Sequence, residues 1–193
     1  MSELNNIALK ILNNGKCILA ADESTTTMTK RLESVKVQST AENRLLFRET
    51  LFSSSGMTEY IGGVILYDET IKQVTSKKNK VPELISDMGS APGIKVDTGA
   101  KVLANSPDEK ITEGLDGLRE RLKEYYKLGA KFTKWRGVYS ISKEYPSRSE
   151  SLLVIWRWLT GQSTTSVQSV WMASKQMMSW VSWLLSLRTK TKQ

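Results

Sequence analysis

Four short apolar runs, separated by stretches with helical periodicity, organise residues 1–140 of the chain. The runs read CILAADES at 17–24, GGVILYDET at 62–70, PGIKVDTG at 92–99 and KFTKWRGVYS at 131–140. Each is short enough to be a strand and is bounded by turn residues or by charged residues. Strands that alternate with helices are typical of βα units, which build a parallel sheet. The pattern therefore predicts an α/β fold whose sheet contains these four strands.

Three other stretches carry a helical pattern. Residues 1–16 form an amphipathic segment, and residues 114–130 repeat apolar residues at spacings of three and four before a stop at Gly129. Residues 40–52 begin with Thr40, a good N-cap residue, and are predicted to form a crossover helix. The apolar residues behind the last two predictions are Leu115, Leu118, Leu122 and Tyr126, and Leu45, Leu46, Leu51 and Phe52. The polar segments 75–80 and 104–110 are predicted to be solvated loops.

Charged or hydroxyl residues gather at the carboxyl end of each apolar run. They are Asp22, Glu23 and Ser24, then Tyr67, Asp68 and Glu69, then Lys95 and Asp97, and finally Lys134 and Arg136. In parallel α/β sheets the ligand site lies where the carboxyl ends of the strands meet the loops. Because side chains alternate along a strand, Phe132, Lys134 and Arg136 are expected to share one face. The sequence thus predicts a ligand site at this end of the sheet.

The cations at these strand ends need partners, because burying an unpaired charge is costly. Asp22 and Asp97 can neutralise part of the charge of Lys95, Lys134 and Arg136, and the remaining positive charge favours a phosphate-bearing substrate. A desolvated lysine can act as an amine nucleophile or a proton shuttle, and a neighbouring carboxylate can move protons to or from a substrate hydroxyl. These residues point to carbonyl or imine chemistry on a phosphorylated small molecule. The alternative, a solvated rim of strand-end residues, is about equally consistent with the pattern alone.

The composition narrows the chemistry. The 193 residues include no histidine and one cysteine, Cys17, which excludes Ser-His and Cys-His nucleophile pairs, the usual zinc sites and an intramolecular disulfide. We therefore expect a cytoplasmic protein that needs no metal or cofactor. No apolar run is long enough for a transmembrane helix, and the first residues are a poor signal peptide. The formal net charge of +8 permits non-specific phosphate contacts, but the cations are spread along the chain, so no nucleic-acid role is expected.

Several of these segments resemble, in order and at natural spacing, the class I (Schiff-base) fructose-bisphosphate aldolases. The resemblance covers about residues 3–147 and is carried by GKCILAADEST, KRLESV, ENR with FRE, GGVILYDET, PGIKVDTG, GLDGL and KFTKWRGVYSI. It implies a (β/α)8 barrel, the TIM barrel, and a glycolytic lyase that acts without a metal. The implied reaction is reversible cleavage of fructose 1,6-bisphosphate to dihydroxyacetone phosphate and glyceraldehyde 3-phosphate. It also implies a phosphorylated sugar as the substrate and, usually, a homotetramer.

The resemblance further implies roles for individual residues. Asp22 matches the aspartate that orients the substrate and shuttles protons, and Lys95 and Lys134 match two auxiliary lysines near the reacting carbon. The positions implied to bind the substrate are Arg31, Arg44 and Arg136.

The chain departs from the family after residue 147. From residue 151 onward it contains five of the six tryptophans, five cations and no Asp or Glu. The family continues with a Glu-Pro-Glu motif that carries an acid/base glutamate, and later with the Schiff-base lysine, and neither is recognisable here. We therefore expect residues 1–147 to form about four βα units of an incomplete barrel with open sheet edges. This chain itself is expected to be inactive and at most to bind phosphorylated sugars or other anions.

Residues 148–193 are expected to form a tail outside the family, either helical or disordered. Our main hypothesis is that a shifted reading frame or an aberrant splice produced this tail, because the composition changes abruptly inside a domain. A rival interpretation takes residues 171–193 as an interfacial helix, since tryptophans and a basic terminus suit a membrane surface.

Overall fold

A computed structural model describes residues 3–163, which form one four-stranded sheet with helices around it and a separate two-stranded hairpin. The helices are α1 (Glu3–Leu12), α2 (Thr25–Ser34), α3 (Ala41–Phe52), α4 (Met57–Tyr60), α5 (Asp68–Ile71), α6 (Val81–Asp87), α7 (Leu118–Lys127) and α8 (Arg148–Ser163). The strands are β1 (Cys17–Ala21), β2 (Ile61–Leu66), β3 (Ala91–Lys95), β4 (Gly99–Leu103), β5 (Ser106–Glu113) and β6 (Phe132–Lys134).

The main sheet is parallel and has the strand order β1-β2-β3-β6. Its strands lie within the four apolar runs or begin one residue before them, so the predicted α/β architecture is confirmed. The crossover helix between the first two strands is confirmed as well: it is α3, and the Thr40 hydroxyl caps it by accepting a hydrogen bond from Asn43 N at 3.1 Å. Among the described residues β1 and β6 are the outer strands, so these residues leave the sheet open.

Two apolar clusters cover the two faces of the sheet. The outer face carries Val64, Leu66 and Ile94, which pack with residues of the surrounding helices such as Phe52 and Leu122. The inner face carries a smaller cluster made by Ile65, Ala91 and Phe132 together with Ile7 and Ile11 of α1. Because side chains alternate, the odd-numbered residues of β2 and β3 and the even-numbered residues of β1 and β6 share the inner face. Helix α1, predicted as amphipathic, therefore supplies the lower part of the inner core.

A close contact between strands shapes the inner face. The ring of Phe132 lies over Gly63 and Gly93, and a Cβ atom at Gly93 would overlap that ring. A Cβ at Gly63 would lie 3.1 Å from it, also closer than ordinary contact. The two glycines thus provide the space in which the aromatic ring is buried.

The predicted loop at 104–110 is wrong. Ser106–Glu113 forms β5, which pairs antiparallel with β4. Half of the residues of β5 are exposed, and the strand has no apolar run to mark it in the sequence. Its one charged side chain that is fully buried is Glu109, which accepts hydrogen bonds from Ser106 Oγ at 2.8 Å and Ser147 N at 2.6 Å. An antiparallel hairpin is thus inserted between β3 and α7.

The fourth predicted strand is shorter than its apolar run. Strand β6 contains Phe132–Lys134 only, and Arg136 follows it as an exposed residue in an irregular segment. Phe132 and Lys134 do share the inner face, but the prediction that Arg136 continues this face as part of the strand is wrong. Trp135 is buried in the outer cluster, and the strand pairing with β3 ends at Lys134.

The helices bury partly different residues from those that suggested them. In α3 the buried positions are Arg44, Arg48 and Phe52, whereas Leu46 is 60% exposed. In α7 the buried tyrosine is Tyr125 and not Tyr126. Leu118 and Leu122 are buried as predicted, and Gly129 follows α7 with a φ of 108°, which suits a helix stop.

Helix α8 contacts the hairpin through its first turn. Glu150, 1% exposed, lies beside the fully buried Glu109 of β5, and burial together with this second carboxyl group raises the pKa of Glu150 to about 6. The same burial, with the charge of Glu150, raises the pKa of Tyr139 to about 12. Residues 148–163 are thus helical, and the proposed membrane helix at 171–193 lies outside the described residues. Between residues 3 and 163 no helix combines the length and the apolar character needed to span a bilayer.

Candidate active site at the carboxyl ends of the strands

Lys95 and Lys134 end two neighbouring strands at the same level. They are direct register partners in the β3–β6 pairing, so their side chains leave the sheet on the same, inner face. Asp22 follows β1 directly and is 8% exposed. The side chains of both lysines are 16% exposed, so they are mostly shielded from solvent. All three residues predicted to be catalytic therefore lie on one face at one end of the sheet.

The contact between Lys134 and Asp22 spans the sheet. Lys134 Nζ donates a hydrogen bond to Asp22 Oδ2 at 2.5 Å, although β6 and β1 are the two outer strands. In a flat sheet, three strand spacings would separate these strands by about 14 Å, which is more than the two side chains can bridge. The sheet must therefore curl toward its inner face, as the wall of a barrel does. The ion pair is evidence of this curvature and helps to stabilise it.

A second ion pair lies beside the first. Lys95 Nζ contacts Asp97 Oδ1 at 2.7 Å and the Asp97 carbonyl oxygen at 2.9 Å. Asp97 is 6% exposed, and its other carboxylate oxygen accepts a hydrogen bond from the backbone N–H of Arg136 at 3.3 Å. The carboxylate thus ties the end of β3 to the segment after β6. The expectation that Asp22 and Asp97 neutralise part of the positive charge is confirmed, with one aspartate for each lysine.

The three arginines predicted to bind substrate lie in different surroundings. Arg44 forms a bidentate contact with Glu69, with distances of 2.9 Å from Nε and 2.5 Å from Nη2, and donates to the Ser39 carbonyl at 2.8 Å. The hydrogen bond to Glu69 raises the pKa of Arg44, and the same bond lowers the pKa of Glu69. Arg31 is 56% exposed and pairs with Glu23 at 2.5 Å. The backbone of Arg136 is hydrogen-bonded to Thr112 and Asp97, and the residue as a whole is exposed.

Sequence reasoning did not single out Arg48, which is fully buried between Glu23 and Glu69. Its signal in the sequence is its position four residues after Arg44, which places both arginines on one face of α3. Both glutamates follow predicted strands, but nothing in their spacing tells which cation each one meets. Within residues 3–163 no group of three or more Asp, Glu, Cys or His side chains is arranged to hold a metal ion.

The whole arrangement can hold an anion and move a proton. Two ammonium groups and two carboxylates converge above an apolar floor, in surroundings where charge interactions are stronger than in water. Residues 3–155 also match the family model described as glycolytic fructose-bisphosphate aldolase class-I. The chain belongs to the class I fructose-bisphosphate aldolase family. This confirms the resemblance carried by the strand-end segments.

Individual aldolases give the extent of the similarity. The chain is 48% identical over 147 residues to a probable class 1 fructose-bisphosphate aldolase of Xylella fastidiosa. The aligned part covers 76% of this chain and 44% of that protein. It is 53% identical over 146 residues to the non-muscle fructose-bisphosphate aldolase of Lethenteron camtschaticum, with coverage of 75% and 40%. The chain therefore spans less than half the length of the curated aldolases it matches.

A solved aldolase shares the fold. The structure of fructose-bisphosphate aldolase from Plasmodium falciparum, in complex with TRAP and a small-molecule inhibitor, matches with a TM-score of 0.81 and 39% identity. The match covers 86% of this chain and 51% of that aldolase. The predicted TIM-barrel class is confirmed, with the described strands forming a part of such a barrel.

Proposed function

We propose that this chain carries the phosphosugar-binding and proton-transfer side of a fructose-bisphosphate aldolase site, acting in the cytoplasm on fructose 1,6-bisphosphate or its triose phosphate products. The observation that carries the proposal is the pair of lysines that end β3 and β6 on the inner face, each facing an aspartate. An ammonium group has three donors, so a phosphate-bearing ligand can bind a site lysine in addition to its aspartate, and neither buried charge then loses its partner. The family membership supports the choice of a phosphorylated sugar.

We assign each site residue a role that its position supports. Asp22 and Lys134 share a short hydrogen bond, so a proton can move between a substrate hydroxyl and this pair. Lys95 lies at the same level on the neighbouring strand and stabilises negative charge on the substrate. The loop cation Arg136, exposed at the mouth of the site, takes a phosphate group.

Arg31 and Arg44 are less available to bind a phosphate group than Arg136. Each already has a carboxylate partner, Glu23 for Arg31 and Glu69 for Arg44, and a phosphate must compete with that partner. Arg31 is mostly exposed and can exchange partners at little cost, because surface ion pairs contribute little free energy. Arg44 is buried in a bidentate pair and is more strongly committed to Glu69.

A binding measurement tests the proposal. Isothermal titration calorimetry of the 193-residue chain with fructose 1,6-bisphosphate should give saturable binding, and Lys134→Met should weaken it by roughly tenfold to a hundredfold, the effect of losing one charged hydrogen bond. Lys131→Met is the matched control, because Lys131 is an exposed lysine three residues away that contacts the ring of Tyr126. Equal losses in the two variants would mean that general positive charge, and not the site, attracts the ligand.

A second candidate function is binding without cleavage. It is favoured by the pairing of both site lysines with aspartates, since a lysine held as an ammonium ion is not the free amine that forms an imine. Sodium borohydride trapping with dihydroxyacetone phosphate, followed by peptide mass spectrometry, separates the candidates. A chain that binds the sugar phosphate but forms no lysine adduct is a binding protein, whereas an adduct assigns it Schiff-base chemistry.

A further inference from the structure

Among the lysines and arginines whose side chains the structure describes, Arg48 is the most deeply buried. Its side chain is 0% exposed and lies on the inward face of α3, one turn after Arg44 and one turn before Phe52. Desolvation lowers its pKa, and the nearby carboxylates of Glu23, Glu69 and Asp22 oppose that effect. A guanidinium group in such a place needs partners or it strongly destabilises the fold.

The partners of Arg48 lie after two different strands. Its Nη2 donates a hydrogen bond to the carbonyl oxygen of Glu23 at 2.6 Å and lies 3.8 Å from the carboxylate of the same residue. Its Nη1 lies 4.0 Å from the carboxylate of Glu69, in the helix that follows β2. Arg48 thus joins α3 to the carboxyl ends of β1 and β2, and its strongest contact is with the main chain directly after Asp22.

This contact affects which of two adjacent acids, Asp22 or Glu23, faces Lys134. Asp22 and Glu23 are neighbours at the end of β1, and a shift of one residue there would turn the other side chain toward the inner face. In the structure Asp22 reaches Lys134, whereas Glu23 turns to Arg31 and Arg48. Glu23 has the longer side chain and the same charge, so charge alone does not decide which acid meets the lysine.

We propose that Arg48 is a positioning residue that selects Asp22, and not the adjacent Glu23, as the carboxylate that contacts Lys134. It does so by fixing the Glu23 carbonyl through a hydrogen bond and the Glu23 carboxylate through charge. An apolar residue of similar size would fill the same volume and need no compensation, so packing by itself does not require an arginine here. The significance of this role rests on the proposed function of the site.

The protection of Lys134 against acylation measures the contact in the absence of any sugar phosphate. The full chain is treated with a trace of acetic anhydride, and the peptide containing Lys134 is quantified by mass spectrometry. We expect Arg48→Met to raise the acylation rate of Lys134 several-fold, because its ammonium group loses a fixed carboxylate. Asp22→Asn should do the same in the parent chain but add little in the Arg48→Met background.

Two further variants separate positioning from packing. Phe52→Leu changes a fully buried residue on the same face of α3 and should lower stability to urea while leaving Lys134 protected. Arg48→Lys keeps the charge but cannot hold the carbonyl and both carboxylates at once, so it should give an intermediate rate even if Arg48→Met does not fold. Parental acylation in Arg48→Lys, or equal acylation in Phe52→Leu and Arg48→Met, would overturn the proposal. Because no ligand is used, these results do not depend on whether the chain binds a sugar phosphate.

Discussion

The carboxyl pair between β5 and α8 makes stability depend on pH. Glu109 and Glu150 are 0% and 1% exposed, and Glu109 takes its two hydrogen bonds from Ser106 and Ser147. These two donors serve Glu109 and not the carboxylate of Glu150, so a negative charge on Glu150 is buried beside a second acid. Protonation of Glu150 removes the repulsion and provides a donor for Glu109. We predict that Glu150→Gln, which keeps the shape and a donor at every pH, stabilises the protein at neutral pH.

The size of the effect follows from the pKa of Glu150. It is raised from an ordinary value of 4.5 to about 6 by burial and by Glu109. A raised pKa means that the folded state binds the proton more tightly, so stability is lost as the pH rises from 4.5 through 6. At 1.36 kcal/mol for each pKa unit, the loss at neutral pH is about 2 kcal/mol. Burial raises the pKa of Glu109, but its hydrogen bonds together outweigh burial and lower it, so the stability that Glu109 contributes is lost only at lower pH, outside this window.

Urea unfolding followed by circular dichroism, at pH 4.5 and at pH 7.5, tests this prediction. The gain in unfolding free energy from Glu150→Gln should be near zero at the lower pH and about 2 kcal/mol at the higher one. Glu144→Gln is the control, because Glu144 is an exposed acid of the same segment and its substitution should give no such difference. An equal gain at both pH values would show that the Glu150 charge is not buried against Glu109.

Two further predictions concern packing and capping. Gly93→Ala should destabilise the protein by roughly 1–3 kcal/mol in urea unfolding, because the new methyl group overlaps the ring of Phe132. Adding Phe132→Leu should recover part of that loss, and strict additivity would refute the contact. Thr40→Ala should cost about 1 kcal/mol in the same assay, since it removes the cap of α3, whereas Thr40→Ser should be close to neutral.

The main sheet could be predicted because its two central strands, β2 and β3, are buried on both faces. Buried strands read as continuous apolar runs, and GGVILY and PGIK are of this kind. The same runs end in charged residues, so the positions of Asp22, Lys95 and Lys134 could be found from the sequence. The parallel register then brings the two lysines level with each other.

The parts that the sequence did not indicate depend on partners that are distant along the chain. Strand β5 is half exposed and is held by pairing with β4, so its residues look like a loop. Arg44 and Arg48 are buried because glutamates after two strands neutralise them, and periodicity alone assigns arginines to the solvent face. The end of β6 is set by the extent of its pairing with β3, which no local residue specifies.

The aromatic ring under Lys134 has a consequence for how a ligand reaches the site. Phe132 fills the space between Gly63 and Gly93, and Ile7 and Ile11 of α1 pack against the same cluster. Side chains of the described residues therefore fill the amino-terminal end of the inner face, and with respect to these residues a ligand reaches the ammonium groups from the opposite end or from the open edge of the sheet. Entry is directional, and the ring sets the depth that the proposed ligand, a sugar phosphate, can reach.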